Sequence, residues 1–185
     1  VVGVLDSTVP PQTSQGLLEV GGDLPVVNSI DAVPEANVLL IGIAPTGGSL
    51  PASLRAHVLS ALARGMDVES GLHDFLNDDA EFATAAKASG SILRDLRHND
   101  EKDVAQRQNI SNDCLRIHTV GHDCSVGKMV VSIELARGLS AAGVDAKFIA
   151  TGQTGMLVEG DGCPIDAVVA DFISGAVEKQ TLAHQ

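Results

Sequence analysis

The segment Gly121-His122-Asp123-Cys124-Ser125-Val126-Gly127-Lys128-Met129 constrains this chain more than any other. The alternating run Leu115-Arg116-Ile117-His118-Thr119-Val120 precedes it, and a helical pattern over 128–142 follows. A glycine-rich loop that leaves a strand and enters a helix lets backbone N–H groups converge on an anion. The helix N-terminus adds favourable potential. Lys128 supplies a point charge for terminal phosphates. Strand, loop and helix in this order require an α/β fold.

The rest of the chain reads the same way. Residues 38–43 form a continuous apolar run, expected to be a parallel strand buried on both faces. Ser49 is expected to cap the next helix, with Pro51 in its first turn, a stripe of Leu54, Val58, Leu59 and Leu62, and Gly65 as its end. Residues 66–69 and 91–95 read as strands and 79–88 as a helix ended at Gly90. In the second half, 115–120 and 146–150 read as strands. Val131, Leu135 and Leu139 mark one face of the intervening helix. Residues 151–162 read as a glycine-rich loop, and Pro164 as the start of a helix running to about 178. The polar stretch 97–113 reads as a linker. The expected organisation is an α/β domain over 1–96, a linker over 97–113, and part of a second α/β domain over 114–185. Residues 1–6 look like a buried strand already under way, and two strands with two helices do not close a nucleotide-binding domain. A piece of a longer protein is therefore expected.

Composition excludes several classes. Lys plus Arg is 12 and Asp plus Glu is 24, a net charge of −12. Such a surface repels nucleic acid and anionic membranes unless its basic residues cluster, and they do not. The aromatic residues are four Phe, too few for base-stacking platforms. No apolar run approaches the length of a membrane span. Cys114, Cys124 and Cys163 form no C-x-x-C pair, which fits a reducing cytoplasm and gives no zinc site. No resident metal is expected, and the partner expected is a small-molecule substrate. Oligomeric state is unreadable, and a homo-oligomer stays open.

The common phosphate-loop pattern is G-x-x-x-x-G-K-[ST]. Here five residues separate Gly121 from Gly127, and Met129 stands in place of the hydroxyl residue. The longer spacing resembles the loop of dethiobiotin synthetase-like proteins, Gly-Thr-Asp-Thr-x-Val-Gly-Lys-Thr. Gly121, Asp123, Val126, Gly127 and Lys128 stand at matching places. A thioether is a poor magnesium ligand, so Met129 argues against ordinary Mg-ATP chemistry.

A wider set of residues carries a second resemblance. It comprises 119–129, 148–155, 164–172 and 175–178, with Gly47-Gly48, Asp67-Val68-Glu69-Ser70-Gly71-Leu72-His73 and Leu93-Arg94-Asp95-Leu96-Arg97 in the first half. Together they are similar to a family long catalogued as a domain of unknown function. That family pairs an N-terminal Rossmann-like domain with a C-terminal P-loop domain. Some members are described as D-glutamate N-acetyltransferases that use acetyl-CoA. The resemblance implies an N-acetyltransferase for a small acidic amino acid, with acetyl-CoA as cosubstrate. An ATP-dependent ligase or kinase using Mg-ATP, and a nucleotide-binding module without chemistry, stay open.

Individual residues keep alternatives too. Asp123 either contacts substrate or braces the loop, and Cys124 either carries an acyl group or fills space. Gln153 and Thr154 follow a strand, where open α/β sheets bind ligands. Asp166 lies in an otherwise apolar segment, as a base or as a helix-start charge. Asp123 and Asp166 are the candidate catalytic bases. Arg94, Arg97 and Arg116 are the candidate cations for an acidic substrate. Glu69 and His73 either line a cleft or sit in a solvated loop.

Overall fold

The computed structural model describes residues 1–45, 47–123 and 125–185; Thr46 and Cys124 lie outside them. The chain forms two units, Val1–Asp95 and Leu96–Gln185.

The first unit holds β1 (Val4–Leu5), β2 (Gln12–Thr13), α1 (Ser14–Leu18), β3 (Pro25–Val27), β4 (Val38–Ile41), α2 (Ala52–Ala63), β5 (Asp67–Ser70), α3 (Ala80–Ser89) and β6 (Leu93–Asp95). One small sheet has the order β1-β3-β2, with β1 parallel and β2 antiparallel to β3. At the chain start only Val4 and Leu5 pair, half-buried, while Val1 and Val2 are exposed. The second sheet, β4-β5-β6, is wholly parallel, with Leu40 opposite Glu69 and Glu69 opposite Arg94.

Side-chain alternation then decides what each face of that sheet carries. Ile41 and Val68 turn inward and join Val58, Ala61 and Leu62 of α2 and Phe82 and Ala86 of α3 in one core cluster. Each fully buried large side chain there contributes roughly 1.5–3 kcal/mol of transfer free energy. Val38 and Leu40 point the other way and remain 39% and 45% exposed. The strand expected to be buried on both faces is buried on one, because the helices pack on the inner face alone. Asp67, Glu69 and Arg94 share the open face and pair there, Arg94 reaching Glu69 at 2.9 Å and Asp67 at 3.2 Å.

Helix ends follow local chemistry. Pro51, not Ser49, stands at the N-cap of α2 and gives no side-chain cap. Gly65 beyond its end takes φ 75°, which only glycine adopts freely. Asp79 caps α3, accepting from the Glu81 and Phe82 backbone N–H groups at 3.0 and 3.2 Å.

The second unit holds α4 (Lys128–Ala141), α5 (Gln153–Glu159) and α6 (Ile173–Ala183). Four sequence expectations change here. No strand forms among its described residues. Residues 115–120 alternate as a strand should and 146–150 have strand length, but a strand exists only through ladder partners. Leu115, Ile117 and Val120 stay exposed. Next, the stretch expected to be a loop after Thr151 contains α5, entered through Gly152 and ended by Gly160 at φ 79°. Pro164 opens a 3-10 turn (Ile165–Ala167) rather than a long helix. A second turn (Ala170–Phe172) intervenes before α6 begins. Finally, Ile133 is the residue of α4 that is buried, while Val131 and Leu135 face outward. Apolar residues on several sides of α4 make its stripe ambiguous from sequence.

Residues 97–113 pack within this unit. Glu178 of α6 accepts from the Gln106 and Arg107 backbone N–H groups, and Glu101 pairs with Lys179 at 2.8 Å. Gly175 leaves room for the Asp103 carbonyl, which a Cβ would strike. Cys163, Val168 and Ala176 form the small core beneath. Among the described residues, no helix is long and apolar enough to cross a membrane.

Candidate functional site

The loop entering α4 is shaped by two residues with positive φ, Ser125 at 56° and Gly127 at 93°. Gly127 is the N-cap of α4, so the first free N–H groups of the helix face the loop. At Gly121, a Cβ would lie 2.8 Å from Val126 Cγ2 and 3.1 Å from Lys128 Cδ. The backbone closes over the Lys128 stem only because position 121 has no side chain. Lys128 Nζ donates to the backbone carbonyl of Asp123, which holds the ammonium within the loop. His122, Asp123 and Ser125 are exposed, and Met129 is half-buried. Cys124, read either as an acyl carrier or as a space-filling residue, lies outside the described residues.

Two residues to which the sequence assigned no role sit at the base of this loop. Thr119 Oγ1 lies 3.1 Å from the Lys128 carbonyl oxygen and 2.6 Å from Ser132 Oγ, and Ser132 Oγ lies 3.1 Å from the same carbonyl. The available signal was a hydroxyl just before the loop and a second one four residues after the lysine.

The other sequence candidates separate. Asp166 and Arg97, a candidate base and a candidate substrate cation, pair with each other. Arg97 is buried, with 6% of its surface exposed, and the Asp166 side chain is half-exposed. Arg94 belongs to the first unit and pairs with Glu69 and Asp67. Arg116 donates to the carbonyl oxygens of Ser111 (2.7 Å) and Cys114 (3.1 Å) and to Gln185 Oε1 (3.3 Å), all neutral acceptors. Gln153 and Thr154 form the first turn of α5. In the first unit, the His73 backbone N–H donates to the Gly48 carbonyl at 2.8 Å, joining the loops after β4 and β5. Asp171 is exposed. Burial, with Glu101 nearby, pushes the Cys163 thiol up, away from nucleophilic character. No group of three or more His, Cys, Asp and Glu converges as a metal site among the described residues.

Comparison with known proteins covers both units. Residues 10–99 match a family model described as a domain of unknown function, DUF1611_N, Rossmann-like domain. Residues 103–185 match its companion, DUF1611_C, P-loop domain. A D-glutamate N-acetyltransferase of Tritonibacter scottomollicae is 40% identical over 150 residues, covering 79% of this chain and 44% of that protein. One from a Pseudoalteromonas species is 38% identical over 143 residues, covering 77% and 43%. The crystal structure of a DUF1611 family protein from Anabaena variabilis superposes with a TM-score of 0.87 at 36% identity, covering 99% of this chain and 54% of that one. The chain thus spans less than half the length of the two acetyltransferases it matches.

Proposed function

The chain belongs to the DUF1611 family, with its Rossmann-like and P-loop domains, and on that premise we propose that its protein is an N-acetyltransferase for a small acidic amino acid, D-glutamate, with acetyl-CoA as donor. The observation that carries the reading is the match to two proteins named for that activity, spread over more than three-quarters of the chain.

The site chemistry supports it. Coenzyme A carries a pyrophosphate and a ribose phosphate, both ligands for the loop at Gly121, Gly127 and Lys128. Acetyl transfer moves no phosphoryl group, so the thioether of Met129 is no obstacle, whereas a Mg-ATP site needs hard oxygen there. In the reaction, a base first takes a proton from the substrate ammonium. The free amine then attacks the thioester carbonyl carbon, and the developing oxyanion needs donors. The C–S bond breaks, the nitrogen gives up a second proton to leave the neutral amide, and the departing thiolate takes up a proton to leave as the thiol. Asp123, exposed in the loop, is the base candidate in this span. The substrate carboxylates are assigned to Arg116, because Arg94 and Arg97 are already paired with acids.

Titration calorimetry of the full-length protein with acetyl-CoA and with Mg-ATP tests this. Saturable binding of acetyl-CoA in the presence of EDTA supports it. Binding of Mg-ATP alone favours the ligase or kinase reading.

A further inference from the structure

We propose that Thr119 and Ser132 are positioning residues that set the anion affinity of the loop through the Lys128 carbonyl. The inference rests on the anion-binding reading of the loop and names residues that tune it. Three contacts join the two hydroxyls and the carbonyl, at 2.6, 3.1 and 3.1 Å. Two hydroxyl protons serve two of the three at a time: one hydroxyl donates to the carbonyl, and the other donates to that hydroxyl. Thr119 precedes the loop, Lys128 stands at its end and Ser132 follows it, so the cluster ties the loop's two ends together. It fixes the residue whose ammonium bonds the Asp123 carbonyl at the opposite side of the loop. An anion-binding loop gains affinity when its donors are held in place before the ligand arrives. Lys128 gets that support here from hydroxyls outside the loop motif, at 119 and 132.

The redundancy gives the pair a signature. Removing either hydroxyl leaves the other on the carbonyl; removing both leaves it only the Ser132 backbone N–H of the helix ladder. The test titrates inorganic pyrophosphate into full-length wild type, Thr119→Val, Ser132→Ala, the double variant and Thr119→Ser. Melting curves accompany each titration. The expected dissociation constants rise about threefold for each single variant and about thirtyfold for the double, more than the product of the singles. Thr119→Ser keeps the hydroxyl and stays within about twofold of wild type. Wild-type affinity in the folded double variant overturns the inference. So does a loss in Thr119→Ser equal to that in Thr119→Val, which would make the methyl group the important part. If Thr119→Val fails to fold, Ser132→Ala and Thr119→Ser still decide: Ser132→Ala must weaken binding and Thr119→Ser must not. Pyrophosphate binding that responds as expected, without any acetyl transfer, keeps this inference and removes the acetyltransferase reading. Wild type that binds no pyrophosphate overturns this inference and leaves the acetyltransferase reading to its own acetyl-CoA titration.

Discussion

Arg97 and Asp166, sixty-nine residues apart in sequence, pair within the second unit, and Asn99 Nδ2 donates beside them to the Ala167 carbonyl at 3.2 Å. The pair pins the start of the unit to the turn after Pro164. A buried guanidinium is costly without a carboxylate partner. Asp166→Asn is therefore expected to lower stability by about 1–3 kcal/mol, measured by denaturant unfolding. Activity should follow the folded fraction, with the pH profile unmoved. A stable Asp166→Asn protein without turnover would return Asp166 to the role of base.

Asp79 makes a prediction about acid. Arg55 holds it bidentately at 2.6 and 3.0 Å, and the guanidinium also bonds Glu81 and lies 4.4 Å over the Phe82 ring. The hydrogen bond from Arg55 comes first among the causes that lower the Asp79 carboxyl to about 2. A depressed carboxyl contributes its stability fully above the unfolded value near 3.8 and loses it as pH falls toward 2. Wild type should thus lose stability across that window more steeply than Asp79→Asn, which keeps the cap and lacks the charge. Parallel acid-unfolding curves for the two proteins would contradict this.

Phe82 fills the core of the first unit and is 1% exposed. Phe82→Ala is expected to cost about 3–5 kcal/mol through lost transfer energy and the cavity left behind. Unfolding in urea, followed by circular dichroism, measures it. A cost under about 1 kcal/mol would mean that the core collapses around the deletion.

Much of the first unit was legible because its signals are local. Asp79 and Gly90 bracket α3, and Gly65 ends α2, as capping chemistry requires. The one-sided burial of β4 was not legible, since Val38 and Leu40 are apolar whichever face the helices cover. In the second unit the loop and the start of α4 were read from glycine and lysine spacing. The strands at 115–120 and 146–150 were over-read because alternation or a short apolar run reports extended backbone, while a ladder needs a distant partner. The Arg97–Asp166 pair joins residues sixty-nine positions apart, and no spacing rule links them. The Thr119–Ser132 contact had only the weak signal of a hydroxyl on each side of the loop.

Loop geometry separates two glycines. Gly121→Ala places a methyl group against Val126 and Lys128, and Gly127→Ala forces φ 93° on a residue that resists it. Both should weaken pyrophosphate binding by about tenfold or more, for different reasons. Pairing Gly121→Ala with Val126→Ala relieves the 2.8 Å clash and should recover part of the loss, while Gly127→Ala gains nothing from that second change. Equal recovery in both would contradict the steric account.

The most direct measurement is thiol release by the full-length protein, wild type and Lys128→Ala, supplied with acetyl-CoA and either D- or L-glutamate in EDTA. The expected result is release with D-glutamate by the wild type, and a rise in the KM for acetyl-CoA of about 10- to 150-fold in Lys128→Ala, the equivalent of about 1.5–3 kcal/mol for a hydrogen bond to a charged group. No release with either enantiomer, together with magnesium-dependent ATP turnover, would contradict it.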